Sequence, residues 1–176
     1  KMVLSQQYSP TITKDYSRIS DTARAVNAVV LPSMASYIPR ISPQIAAMST
    51  DEAFVITDYG AADGVNSSEL FEAVISWIHE LNPTLTIKLV YIDLANPANF
   101  EKFWATSALA KLKHVERQYI QRSFYEPFPE IKGKLWIGFS STALHWMNTK
   151  TVGPGYFQHP LCIQPNQLPD PERKKF

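Results

Sequence analysis

Two short apolar runs, each reaching an aspartate at its end, constrain the fold of this chain more than any other feature. The runs are AFVITD at 53–58 and TIKLVYIDL at 86–94, and an amphipathic segment that begins near Ser67 separates them. Continuous apolar runs of this length are typical of strands buried on both faces of a parallel sheet. Strands that alternate with helices at this spacing predict an α/β fold with right-handed crossovers.

Further segments with helical or strand character complete the alternation. They are helices over 21–38, 67–81 and 96–112, one more helical turn at 42–48, and strands over 115–124 and 134–141. Pro32 should kink or break the first helix, because proline removes an interior hydrogen bond and clashes with the preceding turn. Asn66, with Glu69 three residues later, fits the N-cap of the second helix. Pro97 suits the first turn of the third helix.

Composition and charge exclude several classes of protein. The 176 residues carry a net charge of +1, which gives no electrostatic footprint for nucleic acid or for an anionic membrane. No apolar run approaches membrane-spanning length, and residues 1–10 lack the apolar core of a signal peptide. Cys162 is the single cysteine, so an internal disulfide is impossible and a reducing compartment is permitted. We therefore expect a cytoplasmic protein with no nucleic-acid or membrane partner.

The bend between the first strand and its helix has the composition of a ligand-binding loop. Gly60 and Gly64 allow sharp backbone turns and the close approach of a ligand. The helix that follows directs its N-terminal amides and its dipole toward the same space. Asp58 and Asp93 end neighbouring strands at the edge where open α/β sheets bind ligands, and an acid there can hold the hydroxyls of a ribose. This pattern is typical of a cofactor that contains a nucleoside.

Two nucleoside cofactors compete for this bend. A dinucleotide site needs the sequence G-x-G-x-x-G so that a pyrophosphate can rest on the helix. Here Gly60 and Gly64 enclose Asp63, and a pyrophosphate beside Asp58 and Asp63 would be repelled. S-adenosylmethionine has a sulfonium, an ammonium and no phosphate, so electrostatics favour it over NAD. A plain tight turn with a capping aspartate is the alternative that these residues leave open.

Several stretches resemble, in order and spacing, the SABATH family of plant methyltransferases that act on salicylate, benzoate and theobromine. They are DYGAADGVNS at 58–67, YIDLANPANF at 91–100, RSFY at 122–125 and FSSTALHWMN at 139–148, with a further similar segment at 15–32. The resemblance covers most of residues 15–150. It implies a class I methyltransferase fold, which is a Rossmann-like parallel sheet with flanking helices. It also implies that S-adenosylmethionine is used to methylate a small molecule, commonly at a carboxylate.

The resemblance implies roles for parts of the chain and for single residues. Residues 1–50 would close over the active site, residues 51–150 would form the cofactor-binding core, and the composition of 151–176 predicts a proline-rich loop and tail. The residues placed at the cofactor are Tyr16, Ser20, Asp58, Gly60, Gly64, Asn66, Asp93, Leu94, Ser123 and Phe124. Those placed at the acceptor are Tyr16, Thr142, His145 and Trp146, the last two as the catalytic pair.

The acceptor half departs from the family pattern at several positions. Ala23 stands where the family has a glutamine that helps tryptophan hold the acceptor carboxylate, Thr142 replaces a pocket tyrosine, and Arg122 replaces a glycine. A carboxylate acceptor is ionised at neutral pH and needs no base, so Trp146 would orient it. A nitrogen, hydroxyl or acidic carbon would instead use His145 as the base. Loss of turnover would leave a methyltransferase-like binding domain.

The number of strands sets an expectation about the extent of the fold. The four predicted strands are fewer than the seven that the resemblance implies, so we expect the N-terminal half of a class I methyltransferase. An isolated half-sheet would expose apolar side chains along its open edge. We therefore expect the sheet to continue in the remaining half of the fold or to pair with a second copy in a homodimer.

Overall fold

A parallel sheet of four strands organises the part of the chain that the computed structural model describes, which is residues 21–141 and 143. The strands are β1 (Ala53–Tyr59), β2 (Thr86–Asp93), β3 (Val115–Gln121) and β4 (Leu135–Phe139). The helices are α1 (Asp21–Tyr37), α2 (Ser42–Ala47), α3 (Ser68–Leu81) and α4 (Pro97–Thr106), with short 3-10 helices at Ile38–Ile41 and Leu109–Lys111. All of these elements lie within one unit, residues 1–142.

The strand order places β1 at the point where the chain reverses its direction across the sheet. The order is β3-β2-β1-β4, and every pairing is parallel. The chain runs outward from β1 through β2 to β3 and then returns to β4 on the other side of β1. Open α/β sheets bind ligands at such a switch point, beyond the carboxyl ends of the strands. The predicted α/β fold is confirmed.

The main core lies between one face of the sheet and α3. Its fully buried members include Phe54, Ile56, Phe71, Ile75, Ile78, Leu89 and Tyr91. Because successive strand residues point to opposite faces, Val55, Val90 and Ile92 turn away from this core and form a second cluster with Ile120 and Ile131. Helix α3, predicted over 67–81, buries an apolar face that includes Leu70, Val74 and Ile78, whereas Leu81 in its last turn is exposed.

Several element boundaries differ from the prediction. Helix α1 continues through Pro32 without a break. Proline has no N–H, so the carbonyl of Ala28 loses its helical hydrogen-bond partner. Ala28 and Pro32 are both exposed, so water can bond to that carbonyl instead. Helix α4 ends at Thr106 rather than near residue 112, because the residue after Thr106 has an extended backbone. Strands β3 and β4 end at Gln121 and Phe139, two or three residues early.

Strand β4 is irregular where it begins. Its pairing with β1 shifts register between Val55 and Ile56, so that Trp136 is an extra residue in the ladder. The indole of Trp136 stacks on Phe54 with the ring centroids 5.2 Å apart. Leu135, on the same strand, keeps 42% of its surface exposed at an edge of the described sheet. The bulge thus adds an aromatic to the core while the edge itself stays apolar.

Candidate functional site

The chain after β1 stays bonded to β2 for two residues before it turns away. The N–H groups of Gly60 and Ala61 donate to the carbonyl of Ile92 at 2.8 and 3.1 Å. Left-handed backbone follows, with φ of 82° at Gly60, 52° at Ala62 and 82° at Gly64. The sharp bend predicted from the two glycines is confirmed, because glycine adopts this conformation without strain. Ala62 adds a third left-handed residue that the sequence did not indicate.

Asp93 holds the turns after β1 and β2 together. One of its carboxylate oxygens accepts from the N–H of Ala62 at 2.8 Å, and the other accepts from the N–H of Ala95 at 2.8 Å. Each oxygen has a further lone pair, so the same carboxylate can still accept hydrogen bonds from ligand hydroxyls. Asp93 therefore has a structural role that the sequence did not predict, and it remains able to serve the predicted ribose.

Tyr119 of β3 reaches the same two turns from the other direction. Its hydroxyl lies 3.1 Å from the carbonyl oxygen of Ala95 and 3.3 Å from that of Ala62, and it donates to them. Its ring packs on Phe100 with the centroids 4.9 Å apart. Burial first, and then nearby carboxylates led by Asp93, raise the pKa of Tyr119, so the hydroxyl keeps its proton at neutral pH.

Asp58 lies at the end of β1 and is almost completely buried, with 4% of its surface exposed. Burial raises its pKa to about 7, the hydrogen bond from the Ser67 hydroxyl opposes this effect, and the negative charge of Asp93 adds to it. Ionising a carboxyl group in such a position is costly. Acids with raised pKa values concentrate at functional sites, where a ligand can supply the missing countercharge. The arrangement therefore favours a cationic ligand at this point.

The start of α3 differs from the prediction. The N-cap residue is Ser67 and not Asn66. The carbonyl of Asn66 instead accepts a hydrogen bond from the side-chain amide of Asn27, which is buried in α1. The hydroxyl of Ser68 donates back to the carbonyl of Val65 at 2.7 Å. The chain thus forms turns up to the first helical residue, and α1 is tied to the loop that precedes α3.

The remaining residues predicted at the cofactor lie beyond β2 and β3. Leu94 follows Asp93 directly and has 65% of its surface exposed, so its side chain is available to a ligand. The hydroxyl of Ser123 accepts from the N–H of Tyr125 at 3.4 Å. Phe124 packs with the second apolar cluster, on the face opposite the main core. The predicted residues that lie outside the described part of the chain are Tyr16, Ser20, Thr142, His145 and Trp146.

Sequence reasoning missed three residues that shape this region. The sequence of β3 does not indicate the role of Tyr119, because strand alternation gives the face of a side chain but not its hydrogen bonds. Asn27 is a buried polar residue within an otherwise apolar helical stripe, and that contrast was the available signal. Ser140 donates its hydroxyl to the carbonyl of Tyr59 at 2.9 Å and so ties the chain after β4 to the end of β1.

Two concave spaces of the described chain lie away from these strand ends. One is a narrow apolar space between α1 and the sheet, lined in part by Val30, Met34 and Phe71. The other is a shallow depression on the outer side of α3, beside His79 and Leu112. Among the described residues, no three His, Cys, Asp or Glu side chains are grouped so as to hold a metal ion. No helix in that same part of the chain has the length and apolar character to cross a membrane.

The fold has a counterpart among solved structures. No protein-family model matches the sequence, and no curated protein matches it. A structure titled "Loganic acid methyltransferase with SAH" matches with a TM-score of 0.58 and 16% sequence identity, over 80% of this chain and 40% of that one. The chain thus spans less than half the length of that protein. The likeness confirms the predicted Rossmann-like methyltransferase fold.

Proposed function

We propose that this chain is the cofactor-binding part of an S-adenosylmethionine-dependent methyltransferase that acts on a small molecule. More specifically, we propose a SABATH-type enzyme that converts a carboxylic acid to its methyl ester. The fold it shares with loganic acid methyltransferase supports the general reaction. The four sequence stretches that resemble the SABATH family support the finer assignment.

The observation that carries this proposal is the convergence of two carboxylates at the ends of adjacent parallel strands. Asp58 is buried at the end of β1, and Asp93 lies at the end of β2 with both oxygens bonded to turn amides. Between them the backbone bends through Gly60 and Gly64 at positive φ. A nucleoside with a positively charged substituent fits this combination, because one acid can bind hydroxyls and the other can pair with a cation.

The residues present fit S-adenosylmethionine better than a dinucleotide. Asp93 would hold the ribose hydroxyls, Leu94 would contact the adenine, and Asp58 with the loop at 60–66 would face the amino-acid portion. S-adenosylmethionine, when bound, supplies a methyl group on a sulfonium. A pyrophosphate would lie among carboxylates instead. Arg122 follows β3 at the same edge, but Glu130 engages its guanidinium at 2.8 Å, so this cation is not offered to a phosphate.

The acceptor chemistry follows from the ionisation of a carboxylic acid. With an ordinary pKa near 4, a carboxylate is already a nucleophile at neutral pH, and the protein has only to align it and exclude water. Trp146 would orient one acceptor oxygen through its indole N–H, with Tyr16, Thr142 and His145 around the acceptor. His145 would act as a base only if the acceptor were a nitrogen, hydroxyl or acidic carbon.

Titration calorimetry on this chain tests the cofactor assignment. We expect S-adenosylmethionine and its product S-adenosylhomocysteine to bind and NAD not to bind. Asp93→Ala should weaken binding by at least about tenfold, since it removes charge-assisted hydrogen bonds worth about 1.5–3 kcal/mol. Glu116→Gln is the matched control, because it neutralises an exposed acid near the opposite end of the sheet. Binding of NAD in place of the methyl donor would refute the proposal in favour of a dehydrogenase.

A methyl-transfer assay tests the acceptor. The full-length protein is incubated with radiolabelled S-adenosylmethionine and a panel of carboxylic acids and amines. We expect label in a product that mild base hydrolyses, as a methyl ester does. A base-stable product would point to N- or C-methylation. Donor binding with no transfer to any acceptor would favour a methyltransferase-like binding domain.

The open edge of the sheet leads to a proposal about partners. Strand β4 lies at an edge of the described sheet and exposes Leu135, and apolar edges of this kind are normally covered. We propose that the remaining half of a methyltransferase fold, or a second copy of the chain, covers it. We also propose that the protein works in the cytoplasm with a small-molecule acceptor, without nucleic-acid or membrane partners.

A further inference from the structure

Two alanines at the candidate site, Ala62 and Ala95, have both the N–H and the carbonyl of the backbone hydrogen-bonded to side chains. The N–H groups of Ala62 and Ala95 both donate to the Asp93 carboxylate at 2.8 Å. The carbonyl groups of the same two alanines both accept from the Tyr119 hydroxyl, at 3.3 and 3.1 Å respectively. Ala62 belongs to the loop after β1 and Ala95 to the turn after β2. Asp93 and Tyr119 thus join the two segments that the proposed cofactor would bridge.

The position of the Tyr119 hydroxyl is fixed by its strand and by its ring. Tyr119 pairs with Tyr91 in the parallel register of β2 and β3, so its backbone cannot slide along the sheet. Its ring packs on Phe100, whose own side chain is fully buried. The Tyr119 hydroxyl has one proton, and the two carbonyl oxygens share it. Both hydrogen bonds can therefore form at the same time only while the two turns keep their present separation.

We propose that Tyr119 is a positioning residue for the methyl donor, because its hydroxyl sets the distance between the loop after β1 and the turn after β2. The inference rests on the proposed function. The loop after β1 would bind the amino-acid portion of the donor and the turn after β2 would bind its ribose. A ligand that reaches both segments gains affinity only if they are held at the correct distance before it binds. A ligand that reaches one segment gains nothing from this restraint.

Two probes separate positioning from a general effect on stability. S-adenosylhomocysteine reaches both segments, whereas 5′-methylthioadenosine lacks the amino-acid portion and reaches only the ribose side. In Tyr119→Phe we expect affinity for S-adenosylhomocysteine to fall about threefold to tenfold, the range for one lost hydrogen bond. Affinity for 5′-methylthioadenosine should change less than twofold, so the ratio of the two affinities should fall. A merely structural role would lower the melting temperature and leave this ratio unchanged.

Tyr91→Phe is the matched control variant. Tyr91 lies opposite Tyr119 in the register and packs on the same Phe100 at 4.7 Å, but its buried hydroxyl has no hydrogen-bond partner among the described residues. Tyr91→Phe therefore removes a tyrosine hydroxyl beside the same Phe100 ring, as Tyr119→Phe does, but it breaks no hydrogen bond to either turn. We expect the affinity ratio of Tyr91→Phe to equal that of the unaltered protein. An equal fall in both variants would overturn the proposal.

Amide hydrogen exchange tests the restraint without any ligand. In Tyr119→Phe the N–H groups of Ala62 and Ala95 should exchange about fivefold faster, because one of the two groups that join the turns is lost. They should not change in Tyr91→Phe. Unchanged exchange in Tyr119→Phe would overturn the positioning role even if the donor binds. If exchange is faster in Tyr119→Phe but the protein binds neither S-adenosylhomocysteine nor 5′-methylthioadenosine, Tyr119 does restrain the two turns. Its role in binding the methyl donor would then be overturned together with the proposed function.

Discussion

Replacing Asp58 with asparagine should make the protein more stable at alkaline pH and leave its stability nearly unchanged at acid pH. Burial raises the pKa of Asp58 from 3.8 to about 7, so between these values the folded state binds more protons than the unfolded state. The contribution of Asp58 to stability is therefore largest below about pH 4 and is lost as the pH rises through 7. Full ionisation costs about 4 kcal/mol. Asparagine keeps the shape of the side chain and has no charge to bury.

Urea or thermal unfolding followed by circular dichroism at pH 5, 6, 7 and 8 measures this effect. The melting temperature of Asp58→Asn should exceed that of the unaltered protein by about 10 °C at pH 8, since a chain of this length gains about 2–4 °C per kcal/mol. The difference should fall to about 4 °C at pH 5, where about 1.6 kcal/mol of the effect remains, and it should vanish below about pH 4. Asp51→Asn, in the exposed turn before β1, is the control and should show no such pH-dependent difference. A stabilisation of Asp58→Asn that does not vary with pH would refute this reasoning.

Three further predictions concern the same region. The affinity for S-adenosylhomocysteine should rise by up to about tenfold from pH 6 to 8, because the ionised Asp58 carboxylate attracts the ligand ammonium. The Asp58→Asn variant should lose this pH dependence. Calorimetry in buffers of different ionisation enthalpy checks both expectations. Gly64→Ala should destabilise by about 1–3 kcal/mol more than Gly133→Ala in urea unfolding, since a methyl group would lie 3.0 Å from the Phe103 ring at one site and meets nothing within 4 Å at the other. Phe100→Ala should cost about 3–5 kcal/mol by the same measurement, because this fully buried ring packs on the rings of Tyr91, Phe103, Trp104 and Tyr119.

The strands and the main bend could be predicted because each has a local cause. β1 and β2 are continuous apolar runs that few other structures can bury, and both appear within one residue of the predicted bounds. Gly60 and Gly64 adopt the positive φ that their spacing suggested. Helix α3 ends at Leu81 as predicted, because Asn82 precedes Pro83 and a residue before proline disfavours the helical conformation. In each case the residues that decide the structure are adjacent in the sequence.

The features that could not be predicted depend on residues far apart in the chain. The N-cap of α3 is Ser67 rather than the predicted Asn66. The carbonyl of Asn66 accepts a hydrogen bond from the side chain of Asn27, which lies 39 residues earlier in the sequence. The left-handed conformation of Ala62 is unfavourable for alanine, and hydrogen bonds from its N–H to Asp93 and from Tyr119 to its carbonyl stabilise it. Single-residue propensities carry no information about such contacts, since the partners are set by helix packing and by the register of the sheet.

The two acids of the candidate site differ in what their substitution can reveal. Asp93 bonds the amides of both turns, so Asp93→Ala removes a ligand contact and loosens the turns at once. Loss of binding in that variant therefore has two possible causes. Asp58 is unfavourable to the folded protein once it is ionised, and its replacement should stabilise the chain at pH 8. A variant at Asp58 that is more stable yet binds the donor less tightly can only have lost a favourable contact with the ligand, which makes Asp58 the sharper test of a cation site.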